Sequence, residues 1–98
     1  MSKYLVLWEV NISTLPSDPK ERASIAVKLD EMVKQEILEG KVNDWGVFIS
    51  GDNGYAIMEG NSVDIYRDCY RYRPYITFEI HEVLSIDQAL ETAKSRTK

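Results

Sequence analysis

Residues 44–59 read DWGVFISGDNGYAIME, and the architecture follows from what stands on either side of them. Trp45, Val47 and Ile49 alternate on one side, Gly51-Asp52-Asn53-Gly54 is a turn, and Tyr55 to Glu59 returns as a second strand. The stretch is a β-hairpin, and it lies between two helices. Upstream, Asp18 is placed as an N-cap, Pro19 takes the first helical position and Glu21 completes a capping box. Ile25, Leu29, Met32, Val33, Ile37 and Leu38 then recur at spacings of three and four, until Gly40 stops the helix. Lys28, Glu31, Lys34 and Glu39 fall on the opposite, solvated face. Downstream, Asn61 or Ser62 caps a second helix that runs to about Tyr72 before Pro74 ends it. Along that helix Ile65, Cys69 and Tyr72 turn inward.

The chain on either side of this unit supplies two more strands. In Lys3 to Ile12 the even positions Tyr4, Val6, Trp8, Val10 and Ile12 form one apolar face, while Leu5 and Leu7 make half of the other face apolar as well. A strand covered on both sides belongs at the centre of a sheet. Tyr75 to Leu84 alternates Ile76, Phe78 and Ile80 against Tyr75, Thr77, Glu79 and His81, so only one of its faces is apolar. Ser85-Ile86-Asp87-Gln88 is a second capping box, opening a short amphipathic helix that carries Ile86, Ala89 and Leu90. The order β-α-β-β-α-β plus a terminal helix predicts a ferredoxin-like α+β sandwich spanning residues 1–98 as one domain, with loose ends at Met1 to Ser2 and at Ser95 to Lys98. Right-handed crossovers place both main helices on one face of a four-stranded antiparallel sheet. The other face carries apolar residues from the first strand, and a second copy of the sheet would cover it.

Composition narrows the function classes. The 98 residues are 44% hydrophobic and 29% charged, a globular balance that supports a packed core. A net charge of −4 argues against nucleic acid, because phosphate binding rests on Lys and Arg. Tyr4 to Val10 is too short to cross a bilayer and lacks the flanks of a secretion signal, so no membrane association is expected. The single cysteine, Cys69, has no partner for an internal disulfide, which fits a reducing, cytoplasmic setting. One histidine and one cysteine do not make a common zinc set, and the Gly51 to Gly54 turn is too short for a calcium loop. With no P-loop, dinucleotide fingerprint or nucleophile elbow in the chain, neither a metal nor a cofactor is expected.

The opening KYLVLWEV, the strand DWGVFIS, its return GYAIMEG and the closing ITFEIHEVLSIDQALE resemble a small family of unknown function among the dimeric α/β-barrel proteins. That superfamily includes the antibiotic-biosynthesis-monooxygenase and muconolactone-isomerase-like barrels. The resemblance covers nearly the whole chain and implies the fold and a homodimer built through the open sheet face. It implies no agreed chemistry.

Three groups of residues are candidates for a site. His81 and Glu79 share one face of the last strand, where a carboxylate can orient an imidazole and raise its basicity for proton transfer. Same-face neighbours arise in any alternating strand, and a surface or dimer-interface place is the plainer reading. The segment Tyr66 to Tyr75 holds four tyrosines and three arginines, and Tyr66, Arg67, Tyr70 and Arg71 can grip an anionic aromatic ligand by fork and ring. The competing reading is a helix face laced by Asp64–Arg67 and Asp68–Arg71 pairs. Trp8, Trp45 and Tyr55 fall near the helix-facing side, where they either line a small-molecule cleft or fill the core. Cys69 reads as a small buried hydrophobe. The leading expectation is a dimeric module that binds a small aromatic or anionic ligand or a protein. The alternative is a cofactor-free, monooxygenase- or isomerase-like enzyme using His81 or Glu79 as base in the cleft.

Overall fold

Everything in the computed structural model, which describes residues 2–97, is organised around its first strand. Strand β1 (Ser2–Val10) is paired antiparallel on both sides, with β3 (Asn53–Gly60) and with β4 (Ile76–Val83). Strand β2 (Val42–Val47) adds to the far side of β3, giving one antiparallel sheet in the order β2-β3-β1-β4. Helix α1 (Pro19–Leu38) links β1 to β2, α2 (Ser62–Tyr70) links β3 to β4, and α3 (Ile86–Ser95) follows β4. This is the ferredoxin-like sandwich expected from the order of elements. Of the expected loose ends, Ser2 instead opens β1 and Ser95 closes α3, while Met1 and Lys98 lie outside the described residues.

Register assigns each side chain to a face. Val6 stands opposite Ala56 and Ile80, Tyr4 opposite Met58, Trp8 opposite Phe78, and Val10 opposite Ile76. These residues look toward the helices, where Tyr4, Val6, Val42, Ala56, Met58, Ile65 and Cys69 form the buried core. The odd residues of β1 look the other way. Leu5 is paired with Ile57 and His81, and Leu7 with Tyr55 and Glu79. Tyr55 therefore lies on the open face, not beside the tryptophans as its sequence neighbourhood suggested, because pairing with Leu7 fixes its parity. Its hydroxyl donates to Asp44 Oδ2 at 2.8 Å.

Two further expectations are corrected by local hydrogen bonding. Strand β2 ends at Val47, because Phe48 N–H donates to Asn53 O at 2.7 Å and Gly51 N–H to Phe48 O at 3.2 Å, closing a wide loop. Ile49 rides on that loop fully exposed rather than on an inner strand face. In α1 the inward row is Ile25, Leu29, Val33 and then Glu36, while Ile37 and Leu38 are exposed. The step from Val33 to Glu36 keeps the three-to-four spacing, so the row continues onto an acidic residue.

The caps are where the sequence placed them. Asp18 accepts from Glu21 N–H at 3.0 Å, Asn61 from Asp64 N–H at 2.9 Å, and Ser85 exchanges both bonds of a capping box with Gln88 at 2.8 and 3.1 Å. Asn61→Ala leaves an amide of the first turn of α2 without its partner, and we expect a loss of about 1 kcal/mol in urea unfolding. An unchanged midpoint would show that water replaces the cap at no cost. Helix α3 is exposed along its whole length, Ile86 and Leu90 included.

Candidate functional site

Between α1 and the sheet lies a mainly apolar cavity of about 170 Å³. One wall is a pair of indoles. Trp8 comes from β1 and Trp45 from β2, and their rings stack with centroids 5.4 Å apart and planes 6° from parallel. They meet over the intervening strand because β3 presents its smallest residues there: Gly54 is paired with Trp8 and Ala56 with Trp45. Trp8 Nε1–H donates to Tyr55 O at 3.3 Å, which holds its ring in place. Ile25, Leu29 and Val33 of α1 form the opposite wall, and Phe78 and Ile76 of β4 close one side.

The other end of the cavity is acidic. Glu36 of α1 is 2% exposed, a charged residue buried in the core. The Tyr72 hydroxyl, just beyond α2, donates to Glu36 Oε1. Glu36 Oε2 is buried with no hydrogen-bond partner. Burial raises the carboxyl above its ordinary value and Asp68 adds to the rise, while the Tyr72 hydrogen bond, Arg71 and Lys41 act against it. Tyr72 is itself pushed up, first by burial and then by donating to Glu36. Burial, with Glu36 and Asp68 nearby, raises the Cys69 thiol to about 12. A thiol so raised is not a nucleophile near neutral pH. What this end offers is a carboxyl whose charge is poorly solvated and one buried oxygen without a partner.

The residues singled out in the sequence do not converge on one place. Trp8 and Trp45 line the cavity. Tyr66 and Tyr70 are exposed on the outer side of α2, their rings 5.9 Å apart, with the Arg73 guanidinium 4.7 Å from the Tyr70 ring centre. Arg67 is paired with Asp64, as the laced-face reading has it. Asp68 is turned toward the cavity, and Arg71 borders a separate surface groove with Lys28, Lys41 and Glu36. His81 Nε2 and Glu79 Oε1 approach to 3.4 Å, but both side chains stand half-exposed or more on the open sheet face, across the sheet from the cavity. Glu36 and Tyr72 were not among the predicted site residues. The signal for Glu36 was its place in the Leu29–Val33 row, and for Tyr72 its spacing of three from the inward Cys69, although α2 ends at Tyr70. Among the described residues, no group of three His, Cys, Asp or Glu side chains is arranged to hold a metal ion, and no helix is long and apolar enough to cross a membrane.

The sheet order, the two helices on one face and the cavity between these layers define a small ferredoxin-like α+β domain. The chain belongs to the family described as Domain of unknown function (DUF3303), whose model matches residues 2–97. No curated protein matches it.

Proposed function

We propose that this domain is a homodimeric, non-enzymatic binding module of the dimeric α/β-barrel kind, which holds a small ligand between sheet and helices. The observation that carries the reading is the cavity: a mainly apolar volume of about 170 Å³ walled by stacked Trp8 and Trp45, with a few polar groups, Glu36 and Tyr72 among them, on its lining. Binding sites for small molecules have this make-up, largely apolar with a few placed polar groups. The volume matches the scale of a single ring, since an apolar cavity of about 150 Å³ admits benzene.

The occupant of the open sheet face is a second copy. Along β1 that face reads Lys3, Leu5, Leu7, Glu9, a positive end, an apolar middle and a negative end. Two such strands packed antiparallel about a two-fold axis set Lys3 of one copy over Glu9 of the other and bring the leucines together, a self-complementary arrangement. His81 and Glu79 flank the same strip. The single, buried, free cysteine suits a cytoplasmic home.

Light scattering is the test of the dimer. The wild type is expected at twice the chain mass, and Leu7→Lys, which sets like charges against each other at the seam, at the monomer mass with an unchanged near-ultraviolet circular dichroism spectrum. The dissociation constant should rise by about 100-fold or more. A monomeric wild type at high concentration would remove the barrel comparison. The cofactor-free enzyme reading draws on the buried Glu36 carboxyl rather than His81, and it requires turnover of a bound compound that Glu36→Gln abolishes.

A further inference from the structure

The cavity has a polarity that its shape alone does not specify, and that polarity restricts what fits. Tyr72 uses its only proton on Glu36 Oε1, so the hydroxyl has no donor left for a ligand. Among the described residues Glu36 Oε2 is the buried side-chain polar atom without a partner, and the carboxylate that bears it accepts and does not donate. Asp30, Asp52 and Asp68 also border the space, and Arg22 is the basic residue among its described lining. An anionic ligand would meet like charge from Glu36 and the neighbouring Asp68. A ligand without a donor would leave Oε2 buried and unpaired. The flat indole wall and the volume call for one planar ring system.

We propose that the cavity selects a neutral, planar, ring-sized compound carrying one N–H or O–H donor, seated against the Trp8–Trp45 stack with its donor on Glu36 Oε2, and with Tyr72 positioning the carboxyl. This rests on the ligand-binding reading above. It departs from the anionic aromatic ligand that the arginines and tyrosines of α2 suggested, since Tyr66, Arg67 and Tyr70 face away from the cavity. Because a donor stabilises the ionised carboxyl, affinity rises with pH as Glu36 loses its proton, and bound ligand lowers the pH at which it does so.

The probes are indole and indene, which share shape and differ in the N–H. Binding is followed by calorimetry and by shifts of the Trp8 and Trp45 side-chain N–H resonances, across a pH series. We expect both to bind, indole about tenfold tighter than indene at the alkaline end. Indole affinity should climb with pH while indene affinity stays flat. Glu36→Gln, which puts an amide donor in place of an acceptor in one of its two orientations and removes the charge in both, should erase the pH dependence and most of the indole preference while indene still binds. Tyr72→Phe serves as a second variant and should shift the pH profile of indole binding without altering that of indene. Equal, pH-independent binding of both probes overturns the donor anchor and leaves the cavity as a binding site. Failure of both probes to bind overturns the ligand-binding reading itself, and the anchor with it.

Discussion

Gly54→Ala is expected to destabilise the domain by about 3 kcal/mol and to dismantle the tryptophan stack. A Cβ at this position would lie 2.0 Å from Gly46 O on β2, and 2.5 and 2.7 Å from Cζ2 and Cε2 of Trp8. The first of these contacts is with backbone, so no rotamer change relieves it. Strand β2 must draw away from β3, and the Trp8 ring must leave the position in which it faces Trp45. The loss is therefore both stability and the wall of the cavity. Urea unfolding reads the first, and the near-ultraviolet circular dichroism of the stacked indoles reads the second. Gly51→Ala is the control, because its Cβ would meet only Asn53 Oδ1 at an ordinary 3.6 Å. A Gly54→Ala protein within about 0.5 kcal/mol of the wild type, with its indole signal intact, would show that the close approach of β2 to β3 is not required.

Gly54 reads in the sequence as part of the turn, and its place inside β3 opposite Trp8 is set by pairing with a distant strand. Element order was readable because each signal is local: the caps at Asp18, Asn61 and Ser85, the alternation in β1, and the inward phase of Ile65 and Cys69 on α2, which ends at Tyr70 rather than near Tyr72. Face assignment was readable where the period is strict. His81 shares parity with Glu79 and lies opposite Leu5, so its place on the open face, away from the cavity, follows from β pairing. Tyr66 and Tyr70 each follow an inward residue, Ile65 and Cys69, by one position, about 100° round the helix, which turns them away from the site that Trp8 lines. What escaped the sequence depends on contacts between distant segments. The end of β2 is set by the Phe48–Asn53 hydrogen bond, and the parity of Tyr55 by its pairing with Leu7. The candidate site escaped for a different reason. A glutamate in a helix reads as solvent-facing by type, and only its spacing from Leu29 and Val33 marks Glu36 as part of the inward row.

Glu36→Gln is expected to stabilise the domain at neutral pH by about 1–3 kcal/mol, because it puts a neutral amide in place of a charge that burial disfavours. In the unfolded chain the carboxyl titrates at its ordinary value, 4.5, while burial holds its proton to higher pH in the folded protein. Between those two points the folded state binds more protons than the unfolded one, and stability falls as pH rises. Below 4.5 the acid is neutral in both states, so wild type and variant should differ little through this group. Glutamine never ionises, and its amide oxygen can still accept from Tyr72. The gap between the two proteins should therefore open above pH 4.5, widen until the folded carboxyl has titrated, and stay constant beyond. Melting temperatures of both proteins across the pH range provide the comparison, and parallel profiles would remove the buried, proton-holding carboxyl from the account. A variant that is more stable yet loses its preference for a donor-bearing ring would mark Glu36 as a residue that costs the fold stability and gives the cavity its selectivity, the exchange expected where a binding site is set into a core.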